Sequence, residues 1–309
     1  MSVDSTLPVA MSALSETRNT RGETILSAVP RIADDSPSEV MPRVIPRIVN
    51  GAGHRAVIRL MNPSDEILAG NVRFFSPSGE DTQPLTVSYE IPAWGVYEYR
   101  IDGESALARN SYAAVVPEGS DTPTVAAWTE LWDGDTLLSQ SNVDTSQSRQ
   151  RAWIPLNTLR TPTRHGEIGA SVTVVNDNPI GASLRFTLYA MDGTEVDRYE
   201  MIIRERRQLE LSLVQLFNVG QFKGTLHLFS DAPVSLHAEQ KTVNLRGEPV
   251  SMQLPVFGPD SAGTGATLDV TDGRGFVTEL LMVNTGNTAA EGELSLRTSE
   301  GEPMSLPLR

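Results

Sequence analysis

The chain has 309 residues and a formal net charge of −14 at pH 7. An acidic balance of this size argues against nucleic acid and anionic membrane surfaces as partners, because both attract basic side chains. The absence of cysteine rules out disulfide bonds, thiol nucleophiles and cysteine-ligated zinc. Apolar residues make up 39% of the chain, enough for packed cores, and no apolar run is long enough to predict membrane insertion.

The sequence predicts short β-strands separated by turn residues along the whole chain. They are rich in β-branched and aromatic residues, and Asn, Pro, Gly, Ser and Asp interrupt them. The clearest strands are Ala56–Met61, Asn71–Phe75, Gly95–Ile101, Ser111–Val116, Ser171–Val175, Ser183–Ala190, Gln208–Leu213, Thr225–Phe229 and Val234–Glu239. Short helical turns are predicted only at Leu213–Phe217 and Ser105–Ala108. Many short strands without long helices predict an all-β fold of antiparallel β-sandwiches.

One sequence pattern occurs three times: an apolar strand that ends in Asn, followed 17 residues later by Gly. The pairs are Asn62 with Gly79, Asn176 with Gly193, and Asn284 with Gly301. Asn bonds readily to its own turn and Gly allows a tight reversal, so we interpret these residues as determinants of the fold. Equal spacing within each copy indicates one folding unit used repeatedly. Pro46, Pro155 and Pro255 are predicted to lie in an early edge strand of each copy.

A second stretch also repeats, because residues 8–23 align without a gap to residues 233–248. The chain is therefore predicted to consist of tandem modules of about 110 residues with partial modules at both ends, and we expect it to be a segment of a longer protein. The predicted divisions are 1–40 (the end of a preceding repeat plus a linker), 41–148 and 149–250 (complete repeats), and 251–309 (the first part of a further repeat).

Taken in order, these motifs resemble a known kind of module. A strand of the type Ile45–Ile48 precedes the glycine-rich loop Asn50–Gly53, and the next strand ends at Leu60–Pro63; the module closes through a segment like Gly22–Ser27. The pattern is similar to the tandem Ig-like β-sandwich repeats of bacterial secreted or cell-surface proteins. The resemblance implies an extracellular stalk or adhesive array and implies no catalytic residue. We see no signal peptide in this segment.

Aromatic and histidine side chains are the candidate ligand-binding residues. Trp94, Trp128, Trp132 and Trp153 could form a platform on which sugar rings stack. Trp94 begins an alternating strand, which favours a core position instead, and Trp128 and Trp132 lie near a predicted module boundary that they could simply pack. His54 and His165 fall in corresponding loops, where binding residues often collect, although solubility alone explains a loop histidine.

Acidic clusters raise the possibility of calcium, which prefers oxygen ligands and stiffens many module arrays. The clusters are Asp34-Asp35, Asp133-Gly134-Asp135 and Asp269–Asp272. None recurs in every copy, and Asp133-Gly134-Asp135 is also a typical hairpin turn. The basic run Arg204–Arg207 is interpreted as a solvated loop; the alternative is a docking patch for an acidic neighbouring module.

The sequence contains no nucleophile elbow, phosphate-binding loop or dinucleotide fingerprint, so we expect no enzymatic activity. We expect a structural or adhesive role, in which the modules act as a spacer or present loops. The expected partners are other modules of the same array or a surface protein or glycan. The alternative is a carbohydrate-binding accessory of a larger secreted hydrolase.

Overall fold

The computed structural model describes residues 14–28, 43–78, 84–103, 109–119, 125–143, 148–156, 160–163, 166–219, 222–243 and 249–259, and short stretches between residues 282 and 304. Within these residues the protein is almost entirely strand, and all strand pairs are antiparallel. The single helix described, α1 (Leu213–Leu216), has four residues and is too short to cross a membrane. The prediction of an all-β, antiparallel fold is therefore confirmed.

The first part of the chain forms two four-stranded sheets, which we call the first sheet pair. One sheet has the order β3-β8-β5-β6 and the other the order β10-β9-β4-β7. The strands are β3 (Arg43–Asn50), β4 (His54–Met61), β5 (Leu68–Phe75), β6 (Leu85–Ile91), β7 (Val96–Ile101), β8 (Arg109–Pro117), β9 (Ala126–Asp133) and β10 (Thr136–Val143).

The next part forms a second sheet pair with the same strand order. Strands β11, β17, β14 and β15 make one sheet, and β16, β13, β17 and β18 make the other. Strand β17 has 20 residues: its first half pairs with β11 and β14, and its second half with β13 and β18. The strands are β11 (Arg149–Leu156), β12 (Arg160–Thr163), β13 (Gly166–Asn176), β14 (Ala182–Ala190), β15 (Glu195–Ile203), β16 (Arg207–Ser212), β17 (Gly224–Val243) and β18 (Pro249–Leu254).

Each sheet pair encloses its own apolar core. Alternate residues of each strand point inward, as the period of two in a strand requires. In the first pair both sheets contribute, for example Val72 and Val115 from one and Ile58 and Ala127 from the other. The second core is larger and includes the fully buried Phe186 and Phe217. Burying these faces supplies the main driving force for folding each pair.

Two small hairpins complete the described structure. Strand β1 (Leu14–Arg18) pairs with β2 (Thr24–Ala28), and β19 (Leu296–Arg297) pairs with β20 (Pro303–Met304). The turn between β1 and β2 lies against the turn between β9 and β10. Asn19 donates from Nδ2 to the carbonyl oxygen of Leu137 at 3.0 Å, and the Thr20 and Thr136 hydroxyls are 2.6 Å apart.

The repeated asparagines have the role predicted for them. Asn62 and Asn176 are fully buried at the ends of β4 and β13, and each accepts at Oδ1 from the backbone N–H two residues ahead. Each also donates from Nδ2 to the carbonyl four residues ahead and to two carbonyls near the end of β6 or β15. Asn284 makes the same two local bonds, with Gly286 and Thr288. Gly193 has φ +80°, which favours glycine, whereas Gly79 and Gly301 lie outside the described residues.

The predictions about prolines, helical turns and module limits have different outcomes. Pro46 and Pro155 do lie in edge strands, β3 and β11, and α1 occupies the predicted helical turn at Leu213–Phe217. Pro255 is not in a strand, because β18 ends at Leu254. The helical turn predicted at Ser105–Ala108 lies outside the described residues. The predicted module limits remain predictions, and β18 runs through residues 250 and 251 without interruption.

Candidate functional site: the junction between the sheet pairs

The two sheet pairs meet through outward-facing side chains that form a small apolar cluster. Val44, Tyr112 and Phe75 come from β3, β8 and β5, and Val175 comes from β13 of the second pair. Tyr112 and Val175 are completely buried, and the rings of Phe75 and Tyr112 stack with centroids 4.9 Å apart. Outward residues of a sheet are normally solvated, so their burial here shows that one sheet covers the other. We call this contact the junction.

Gln208, on β16, ties the junction together with hydrogen bonds to the first sheet pair. It is 4% exposed, and its side-chain Nε2 donates to the carbonyl oxygens of Pro46 at 2.7 Å and Ser111 at 3.0 Å. Its backbone N–H donates to the carbonyl of Pro77 at 3.1 Å. Each buried carbonyl satisfied in this way avoids a desolvation penalty of about 1–3 kcal/mol. Nearby, Asn110 donates to the Glu210 carboxylate at 2.5 Å.

A charge cluster lies at one side of the junction, around the buried carboxylate of Glu239. Arg47 of the first sheet pair lies 3.3 Å from Glu239 and 3.9 Å from Glu210. Lys241 lies 3.1 Å from Glu239, and the hydroxyls of Ser171 and Ser251 donate to the same carboxylate. Burial raises the pKa of Glu239, but the adjacent Arg47 and Lys241 charges outweigh burial and lower it to about 2. The carboxylate is therefore charged at all physiological pH values.

His237, two residues before Glu239, is neutral at physiological pH. Burial lowers its pKa to about 4, and the nearby Glu239 carboxylate opposes this only in part. The ring lines a cavity of about 20 Å³ together with Arg47, Ile48, Thr129 and residues of β10. A space of that size holds about one water molecule. The cavity lies at the junction, between residues of the first sheet pair and His237 of the second.

The first sheet pair carries a second buried carboxylate at the matching position. Glu130 faces Val57, five residues before Asn62, and Glu239 faces Ser171, five residues before Asn176. Each glutamate also faces a glutamine on the last strand, Gln140 or Gln253. Arg59 of the same sheet binds Glu130, whereas Glu239 is bound by Arg47 from the neighbouring pair. Thr173 stands at the position of Arg59, so the guanidinium that contacts Glu239 comes from the neighbouring pair, in addition to Lys241 of the second pair itself.

The structure does not place Trp94 in a core strand, contrary to the prediction. Strand β7 begins at Val96, and Trp94 lies in the preceding turn with 65% of its surface exposed. Its φ of +59° is a left-handed conformation that is strained for a bulky residue. Arg206 occupies the matching place in the second pair, with φ +52°. In both turns the backbone N–H donates to the carbonyl two residues after the repeated asparagine.

Of the other predicted binding residues, Trp128, Trp132 and His54 lie on adjacent strands. Trp128 and Trp132 share one face of β9 and are half-buried; Trp132 donates to Glu130 at 3.0 Å and the Arg55 guanidinium covers its ring. His54 begins β4 and pairs through its backbone with Gly51. Trp94 lies beyond the opposite end of this sheet, so the structure does not bring the three tryptophans together. His165 lies outside the described residues.

The calcium prediction concerned three acidic clusters, of which one is described. Asp133-Gly134-Asp135 forms the turn between β9 and β10, and Asp133 lies 3.4 Å from Arg21. Asp34-Asp35 and Asp269–Asp272 lie outside the described residues. Within the part of the chain that the structure describes, no three His, Asp or Glu side chains are grouped so that they could hold a metal ion.

Sequence reasoning missed the residues of the junction. Arg47, Gln208, Tyr112 and Glu239 occur in strands whose patterns read as ordinary alternation of buried and solvated positions. The one available signal was Glu239, a carboxylate within the predicted strand Val234–Glu239. The run Arg204–Arg207 behaves largely as predicted: residues 204 to 206 are exposed in a loop, and Arg207 begins β16.

Comparison with known proteins places the chain in no family. No family model matches it, and no curated protein matches it. Among solved structures, the crystal structure of Thermotoga maritima 1070 is similar to part of it. That protein is 15% identical, and the match covers 35% of this chain and 94% of the other. Its TM-score of 0.31 is too low to establish a shared fold, so the junction itself must carry the functional conclusion.

Proposed function

We propose that this chain is a non-catalytic, semi-rigid spacer built from tandem Ig-like β-sandwich modules, in a bacterial secreted or cell-surface protein. The observation that carries the proposal is the junction. Domains joined by a small, polar contact move relative to each other by default. Here an apolar cluster, a buried glutamine and an ion pair all cross the contact, so bending would break several interactions together.

The shared strand order of the two sheet pairs supports the tandem arrangement. The hairpins at the module ends support it too. The β1–β2 hairpin contacts β10, and β10 in turn contacts β18, so corresponding last strands follow one another along the chain. Such nearest-neighbour packing is the way in which repeat proteins build length. The function would then be to hold another domain at a fixed distance and angle.

Pulsed electron–electron double resonance, which measures the distance distribution between two spin labels, tests the rigidity of the junction. The chain has no cysteine, so Glu90→Cys and Glu200→Cys label one exposed position on each sheet pair. The control pair, Glu200→Cys with Gln215→Cys, lies within the second pair. We expect a single distance peak across the junction that is as narrow as the control peak. A much broader distribution across the junction would refute a semi-rigid spacer.

A second function, glycan binding, is favoured by one observation: the indole of Trp94 is 65% exposed in a turn at the end of its sheet, where a sugar ring could stack on it. Under this proposal, the full chain is retained on insoluble polysaccharide and Trp94→Ala abolishes retention without changing thermal stability. Met191→Ala, at an apolar side chain that is equally exposed, serves as the control. Equal retention of the wild type and Trp94→Ala, or no retention of either, would dismiss glycan binding by this residue.

A further inference from the structure

The second sheet pair carries an outward face that matches, position for position, the face buried in the junction. Phe75 and Tyr189 each follow the repeated asparagine by 13 residues, and they face Tyr112 and Thr225 respectively. Val44 and Trp153 each precede an Ile-Pro pair, and they face Ala114 and His227. Trp153, Tyr189 and Thr225 therefore stand at the positions of Val44, Phe75 and Tyr112, which contact the second pair, and His227 stands at the position of Ala114. We call these four residues the distal face.

The distal face is aromatic and only half covered. The rings of Trp153 and His227 stack with centroids 4.9 Å apart, and Tyr189 lies 6.4 Å from His227. Both Trp153 and Tyr189 are half-buried, whereas Tyr112 in the junction is fully buried. The Nε2 atom of His227 is buried and has no hydrogen-bond partner within the described part of the chain. An apolar sheet face of this kind is typical of a contact surface.

The chain itself leads to the distal face. After β18 ends at Leu254, Phe257 pairs with Trp153 through two backbone hydrogen bonds of 2.9 Å, and Arg149 donates to the carbonyl of Val256. Phe257 therefore lies at the edge of β11, beside the distal face. Further along, Asn284 reproduces the local bonds of Asn176, and Val283 directly precedes it as Val175 precedes Asn176.

We propose that the distal face is the docking surface for the segment of this chain that follows Phe257, and that Val283 packs there as Val175 packs in the junction. The inference rests on the proposed function, because it assumes that one mode of contact is reused along an array. It specifies the next contact along the array, in which Val283 packs against Trp153 and Tyr189. The spacer then extends by repeating one interface, and each module buries the outward face of the module before it.

Disulfide trapping in the full chain tests this contact, since only side chains that approach closely can form the bond. The test variant carries Tyr189→Cys and Val283→Cys. The matched control carries Phe75→Cys and Val175→Cys, the corresponding positions of the junction, and a mismatched variant carries Val196→Cys and Val283→Cys. We expect the test variant to cross-link within one chain to the same extent as the control, and the mismatched variant not to cross-link.

The outcomes separate the two proposals. A cross-linked control without a cross-linked test variant overturns the inference and leaves the spacer proposal standing. If neither forms, the junction is absent in solution and both proposals fail. Cross-links only between chains would assign the distal face to a second copy and overturn the inference.

A measurement without cysteines guards against poor disulfide geometry. Hydroxyl-radical labelling of Trp153 should rise in Val283→Asp, because a charge cannot be buried against the distal face. Met282→Asp is the control, since Met282 is 78% exposed and should leave Trp153 labelling unchanged. Equal labelling of Trp153 in the wild type and Val283→Asp would contradict docking.

Discussion

At the residue scale, a single asparagine organises one end of each sheet pair. Asn176 is completely buried, and both ends of its amide are fully used: Oδ1 accepts from the backbone and side chain of Asn178, and Nδ2 donates to the carbonyls of Ile180, Ile203 and Arg204. The amide thereby fixes the turn after β13 and joins it to the end of β15. Asn62 makes the equivalent bonds in the first pair. No other side chain of this length offers both a double acceptor and a double donor.

We therefore predict that Asn176→Ala lowers the free energy of unfolding by about 3 kcal/mol, because several buried carbonyls and N–H groups lose their partner. Asn284→Ala is the matched control: its side chain is exposed and makes only the two local bonds, so its effect should stay below about 1 kcal/mol. Urea unfolding followed by tryptophan fluorescence measures both. Equal effects of the two substitutions would show that the hydrogen bonds to the Ile203 and Arg204 carbonyls do not contribute to the free energy of unfolding.

At the element scale, the sequence predicts which segments are strands but not how they join. Alternation and turn residues identify most strands of both sheet pairs, and the repeated asparagines mark the same strand in each copy. The sequence also predicts two strands at Thr225–Phe229 and Val234–Glu239, where the structure has one strand, β17. In the first pair, the turn after Pro117 contains Gly119 with φ +97° and separates β8 from β9. The segment between Phe229 and Val234 has no glycine, so the strand crosses from one sheet to the other without a break.

The junction could not be predicted from these patterns for a physical reason. Alternation reports which face of a strand is apolar, but a face buried against another sheet reads like a solvated face when its residues are Gln, Arg and Glu. Gln208 and Arg47 are such residues. Tyr112 is equally uninformative, because aromatic residues are common on either face of a strand. Only the packing of β3 and β8 against β13 and β16 in the folded structure shows that these side chains meet.

At the scale of the whole molecule, the Arg47–Glu239 ion pair is one of several interactions that join the two cores across the junction. Arg47 and Glu239 belong to different sheet pairs, and Glu239 is 3% exposed. Removing one partner of a buried ion pair costs more than removing both, because the remaining charge stays desolvated. Glu130 and Arg59 form the corresponding pair inside the first sheet pair and provide an internal comparison. Arg47 thus couples the stability of the second pair to the presence of the first.

We predict that Arg47→Met destabilises the second sheet pair by about 3 kcal/mol and that Arg47→Met combined with Glu239→Gln recovers most of this loss.

The effect of Arg47→Met on stability should depend on pH in a defined direction. The pKa of Glu239 is about 2 in the folded chain against an ordinary value of 4.5, so its interactions stabilise the fold above pH 4.5 and are lost as the pH falls towards 2. Arg47→Met should therefore differ most from the wild type at neutral pH and converge with it in acid. The corresponding variant Arg59→Met should leave the second pair unaffected, as hydrogen exchange of β13 and β17 would show. If Arg47→Met and Arg59→Met have the same effect on β13 and β17, the two sheet pairs are not coupled through Glu239.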